Sequence, residues 1–141
     1  MNSRSVYKMA VNKQYQAYQD NAVNTASGGQ LTLMLYNGCI RFINQAINDI
    51  NAKNYEGKNT HIQKAQDIIQ ELMITLDQNV DISKQMLPLY EFTYHQLQEA
   101  NIKNDVKHLD EALEFVTTFR DTWKEVIKKA SSQQYAQGAQ V

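Results

Sequence analysis

Apolar residues along this chain fall at alternating steps of three and four, the period of a helix that buries one side. Four such segments can be traced. The first is predicted from about Gln30 to Asn51, with Thr25 or Ser27 as N-cap ahead of Gly28 and Gly29. The second covers about Asn59 to Leu76, where Ile62, Ala65, Ile69, Leu72 and Leu76 form a narrow seam. The third is expected from near Ser83 to near Ala100, with Pro88 either close to its first turn or kinking it. The fourth takes Asn104 or Asp105 as cap and reaches about Lys129, lysine-rich at its end as the helix dipole favours. Short connections and helices of about 30 Å, at about 1.5 Å per residue, predict antiparallel sequential neighbours. The fold class is therefore all-α, an antiparallel up-and-down four-helix bundle. The bundle is assigned to residues 22–129. A mobile N-terminal segment, residues 1–21, rich in Gln, Asn and Tyr, precedes it, and residues 130–141, with "SSQQYAQGAQV", read as a disordered tail.

The first helix carries more apolar surface than one bundle seam needs. Val23 to Ile47 contains a single charged residue, Arg41, in a chain whose charged fraction is 21%. Leu31, Leu35, Gly38, Phe42 and Ala46 make one stripe, and Leu33, Tyr36, Ile40, Ile43, Ile47 and Ile50 make a second beside it. The fourth helix repeats this surplus with Val106, Leu109, Leu113, Val116 and Trp123 on one side and Ala112, Phe115, Phe119 and Val126 next to it. About three apolar positions in seven suffice for a bundle core. Two explanations stand: a wide core in which the helix buries two faces, or a groove for amphipathic helices of another chain, covered by this chain's own N-terminal segment when empty. Tyr7, Tyr15 and Tyr18 suit such a cover, since a tyrosine offers a large contact area and a polar tip. On the groove reading Ile40, Ile43 and Ile47 face the partner, so aspartate at Ile43 spares the fold while aspartate at Leu35 unfolds it.

Composition narrows the function. At 141 residues the chain is one domain, and a formal net charge of −1 gives no electrostatic reason to expect nucleic acid or acidic lipid. No apolar stretch approaches the roughly 20 residues of a membrane span, so no stable membrane insertion is expected. One cysteine, Cys39, excludes an internal disulfide framework and a four-cysteine zinc site. No basic start followed by an apolar run marks a secretory signal, and a cytoplasmic protein is expected. Catalysis finds little support: His61, His95 and His108 fall on three helices among mostly polar neighbours. Glu91 and His95 share a face, yet no Glu-x-x-His occurs and the first helix has no glutamate, so a carboxylate-bridged metal pair is not expected. Neither a phosphate-cradling glycine loop nor a Gly-x-Ser-x-Gly elbow is present. Cys39, among apolar residues, reads as a small hydrophobe. The expectation is a helix-binding module without enzyme activity, metal or cofactor.

Several motifs in series narrow this further: "YQAYQDNAVNTASGGQLTLMLYNG", "KAQDIIQELMITLD", "MLPLY", "EANIKND" and "FRDTWKEV", in order from about Tyr15 to Ile127. Together they resemble the flagellin-specific export chaperones of bacterial flagella, the FliS family. The resemblance implies a bundle that binds the disordered C-terminal region of flagellin as helices in apolar grooves. It also implies that the bound flagellin is kept from polymerising in the cytosol and is taken to the cytoplasmic domain of the flagellar type III export gate. Residue by residue, Tyr15 and Tyr18 correspond to the family's mobile N-terminal segment, Val23, Thr25, Ala26 and Ser27 to its pre-helix motif, and Leu31, Met34, Leu35 and Tyr36 to the helix that continues it. Tyr15, Tyr18, Val23, Leu31, Ile40, Ile43 and Ile47 are thus the expected partner-binding residues. Gly28 departs from the pattern, since many relatives have proline there, and residues 1–11 form a longer leader than usual. Two rival classes remain: an export adaptor or binding module for another helical partner, and a bundle enzyme or metal carrier, which would need clustered inward carboxylates.

Overall fold

The computed structural model describes the backbone of residues 28–77 and 79–139 and the side chains of residues 29–77 and 79–132. The predicted mobile segment 1–21 lies outside the described residues, as do Tyr15, Tyr18 and Val23. Four helices occupy the described chain, α1 (Gly28–Asn51), α2 (Tyr55–Ile74), α3 (Asp81–Lys103) and α4 (Val106–Ala139), with no strand among the described residues.

Local chemistry places the boundaries. Asn54 caps α2, its side-chain oxygen accepting from the Gly57 N–H at 3.1 Å, which starts the helix at Tyr55 rather than near Asn59. Glycine at position 57 leaves room for this cap, because a Cβ there would meet the Asn54 side-chain nitrogen at 2.5 Å and push it aside. α3 begins after Val80 without a side-chain cap and ends on Asn104, whose positive φ of 51° lies in the left-handed region that asparagine tolerates. Asp105 then caps α4, accepting from the Lys107 N–H at 2.9 Å. Pro88 sits inside α3, not in its first turn, so the bond back to the Lys84 carbonyl is missing. α4 continues through Ala139, so residues 131–139, read above as a disordered tail, are helical. The stretch has no proline and its one glycine, Gly138, comes at the end, and extending an existing helix adds one bond per residue fixed.

Contacts across the bundle give its topology. Asp49 near the end of α1 meets His61 near the start of α2, and Lys58 at the start of α2 donates to the Asn101 carbonyl near the end of α3 at 2.9 Å. Gln96 late in α3 meets His108 early in α4, and Trp123 of α4 donates to the Gly29 carbonyl at the start of α1 at 2.7 Å. Each helix is therefore antiparallel to the two it packs against, in the cyclic order α1, α2, α3, α4. The core is one cluster built from Tyr36, Cys39, Ile43, Ile62, Ile69, Leu97, Leu109, Val116 and their neighbours.

This arrangement accounts for the bare first helix. α1 packs on both α2 and α4, so each of its stripes meets another helix of the same chain. Gly38 lies against Ile68 and Phe42 stacks on His61, placing the first stripe on α2. In the second stripe Tyr36 and Ile43 are core residues, and Ile40, Ile47 and Ile50 pack half-buried against them. The expectation that Ile43 faces a partner is corrected: it is 0% exposed, and the wide-core explanation holds for α1. Ile43→Asp is therefore predicted to unfold the bundle, because an unpaired buried carboxylate costs several kcal/mol against a total of about 5–15 kcal/mol. Ile102→Asp, at a residue 68% exposed, is predicted to leave the melting temperature within a few degrees. Circular-dichroism melts of the two variants check both outcomes.

Candidate partner-binding groove

Large side chains converge where α1 and α3 begin and α2 ends. Tyr36 of α1, Tyr90 of α3 and Phe119 of α4 meet there, Tyr90 edge-on to Phe119 with ring centres 5.3 Å apart and Tyr36 tilted against the same ring at 6.1 Å. The two tyrosine hydroxyls lie 2.6 Å apart and hydrogen-bond across the diagonal of the bundle. Above this aromatic floor opens a cavity of about 470 Å³. Its walls come from all four helices: Thr32 of α1, Leu72 of α2, Ile82, Met86 and Leu89 of α3, and Trp123 and Val126 of α4, with Leu76 and Asp77 following α2. The Trp123 indole N–H, bonded to Gly29, ties the first turn of α1 to this rim, so the chain enters the bundle at the mouth of the cavity.

The apolar surface does not stop at the rim. Ile82 is 58% and Val126 46% exposed, and Leu89 and Phe92 also reach the surface. Phe119 contacts Phe115, and Phe115 contacts Phe92, so a line of rings leads from the floor of the cavity out along the α3/α4 seam. A contiguous apolar surface of this kind on a single chain marks a place where something else packs.

Of the residues expected to bind a partner, Leu31 and Ile43 are buried and Ile40 and Ile47 half-buried against the core; none of the four lines the cavity. From α1 only Thr32 and Tyr36 do so. The residues missed lie mainly at the start of α3 and late in α4. The signal was present in "ISKQMLPLYEF", where Ile82, Met86, Leu87, Leu89, Tyr90 and Phe92 exceed one seam's need, and in the pair Trp123 and Val126.

Several polar groups elsewhere hold helices together. His61 bonds Asp49 and stacks on Phe42, which also lies under Arg41 and Lys64. Gln96 accepts from His108 at 2.6 Å and donates to Glu111. No group of three or more His, Cys, Asp or Glu among the described residues is placed to hold a metal ion. Burial pushes the Cys39 thiol up to about 12, so it carries no reactive thiolate at neutral pH. No described helix is long and apolar enough to cross a membrane.

An all-helical bundle with an open, aromatic-floored groove belongs to the protein-binding modules. The chain matches the family model for flagellar protein FliS over residues 11–130 and belongs to that family. It is 47% identical over 130 residues to the flagellar secretion chaperone FliS of Bacillus subtilis (strain 168), covering 92% of this chain and 98% of that protein. With the Escherichia coli (strain K12) flagellar secretion chaperone FliS it shares 30% identity over 115 residues, 79% of this chain and 85% of the other. A crystal structure of a flagellar chaperone from bacteria superposes with a TM-score of 0.68 at 19% identity, over 81% of this chain and 97% of that one, which supports the fold. Membership of a chaperone family implies a protein partner and a role other than catalysis.

The floor of the groove predicts a loss of stability in alkali. Burial holds the Tyr36 and Tyr90 phenols above their ordinary 10.0 and the Cys39 thiol above its ordinary 9.0. Raised folded-state values mean that the stabilising contribution is complete below the ordinary values and is lost as pH rises through them toward the folded ones. Between about pH 8 and about pH 11 the melting temperature should fall, starting near the thiol's ordinary value. Cys39→Ala should delay the onset to near the phenol value, and a flat profile would contradict the burial of these groups.

Proposed function

We propose that this chain is a cytoplasmic export chaperone that binds the C-terminal helices of flagellin, prevents their premature polymerisation and delivers flagellin to the cytoplasmic domain of the flagellar type III export gate. The observation that carries the reading is the open groove over Tyr36, Tyr90 and Phe119, continued by Leu89, Phe92 and Val126, in a chain of the FliS family. An amphipathic helix docks by laying apolar residues at helical spacing into such a groove. A partner that folds on binding buries on the order of 1,000–3,000 Å², which offsets the several kcal/mol needed to order it. No bond is made or broken and no nucleotide is consumed; the chaperone works by occupying the surfaces through which flagellin would polymerise. The leading residues Tyr15, Tyr18 and Val23, which lie outside the described residues, are proposed to cover the groove when no flagellin is bound. That reading also gives the tyrosines of the N-terminal segment a role that their polar surroundings alone do not.

Two outcomes test this reading. Co-expression with the host flagellin should give a complex on size-exclusion chromatography that is lost when flagellin lacks its C-terminal helices; an unchanged complex without them would contradict the proposal. Ile82→Asp with Val126→Asp should keep the helix content, since both side chains are largely exposed, while weakening binding by about ten- to a hundredfold, or ~1.5–3 kcal/mol. With a net charge of −1, affinity should change less than about tenfold between low and physiological salt, as calorimetry would show.

A further inference from the structure

The floor of the groove carries a pair of buried hydroxyls. Tyr36 and Tyr90 are each 3% exposed, both line the cavity, and one hydroxyl donates to the other across 2.6 Å. Desolvation keeps both phenols protonated throughout the physiological range. Two hydroxyls carry two hydrogens and four lone pairs, and their mutual bond uses one of each. Among the described residues no acceptor meets the second hydrogen, and no donor meets the remaining lone pairs. The pair therefore presents a spare donor and spare acceptors side by side in a mostly apolar cavity, where a ligand that displaces solvent must replace the hydrogen bonds it removes.

We propose that this phenol pair reads a side-chain amide, so that the deepest anchor of the docked partner helix is a glutamine or asparagine on an otherwise apolar face. The inference rests on the docking of a flagellin helix in this groove, as proposed above. The match is one of functional groups. A carboxamide holds its carbonyl acceptor and its N–H donors on one carbon: the carbonyl accepts the spare phenol hydrogen and the NH2 group donates to a phenol oxygen. Apolar and charged anchors fit less well. A leucine leaves the spare hydrogen unmet, a glutamate can accept it but must bring a charge into an apolar cavity, and a lysine has no acceptor and is charged as well. Phe119 lies beside both tyrosines, so the hydroxyl pair sits against an aromatic ring.

The test is a coupling measurement on the full chain. Each glutamine and asparagine of a flagellin C-terminal peptide is replaced in turn by leucine, and every peptide is titrated calorimetrically into the wild-type chain, Tyr36→Phe, Tyr90→Phe and the double variant, with circular dichroism confirming that each is folded. The expected result is one amide position whose replacement weakens wild-type binding by about tenfold, a penalty that shrinks in the single variants and vanishes in the double. Leucine penalties that are the same in all four proteins would overturn the assignment while leaving the docking reading intact. So would a gain in affinity that is equal for all peptides on removing the hydroxyls, since the pair would then be engaged by this chain's own leading residues. Failure of the unmodified peptide to bind the wild-type chain would remove the docking reading and the amide assignment with it.

Discussion

The contact of Tyr36 with Tyr90 and Phe119 joins two helices, α1 and α3, that lie diagonally opposite and share no packed face. Three rings meet at this level of the bundle. Toward the other end the same helices contribute Ala46, Ala100 and Ala112 to the core, beside Ile43, Leu97 and Leu109. The cavity opens over the aromatic contact, with Tyr36, Tyr90 and Phe119 in its lining.

The closed end is fastened by polar groups and the open end by few. His61 with Asp49, Lys58 with the Asn101 carbonyl, and Gln96 with His108 and Glu111 tie successive helices together near their loops. At the open end the Trp123 bond to Gly29 joins α4 to α1, and the Tyr36–Tyr90 bond joins α1 to α3. α3 begins there without a side-chain cap and carries Pro88 two turns in, where the helix lacks one backbone bond. An interaction module benefits from this division: one end keeps the fold while the other presents apolar surface to a partner.

Much of the architecture was legible because the apolar period is unbroken over long stretches, interrupted by only five glycines and one proline. The number of helices and their antiparallel order followed from that period and the short connections. Boundaries shifted where a single capping group decides them, as Asn54 does for α2. The assignment of Ile43 failed for a geometric reason. Two stripes on one helix look alike whether the second meets another helix of the same chain or a partner, and only the cyclic packing of α1 between α2 and α4 distinguishes these. The cavity was not legible as a unit, since it is assembled from four helices, and its α3 wall was hidden in a segment judged by its periodicity rather than by its apolar density. Tyr15, Tyr18 and Val23 lie outside the described residues.

Trp123 is the single tryptophan of the chain and stands in the wall of the cavity, its indole N–H on the Gly29 carbonyl. Its fluorescence therefore reports on the open end of the bundle alone. Titration of the full chain with a tryptophan-free flagellin C-terminal peptide should shift the Trp123 emission saturably, with the same midpoint as the heat of binding. Heat of binding without any change in Trp123 emission would mean that the partner docks elsewhere, and that the aromatic-floored cavity is not the site of recognition.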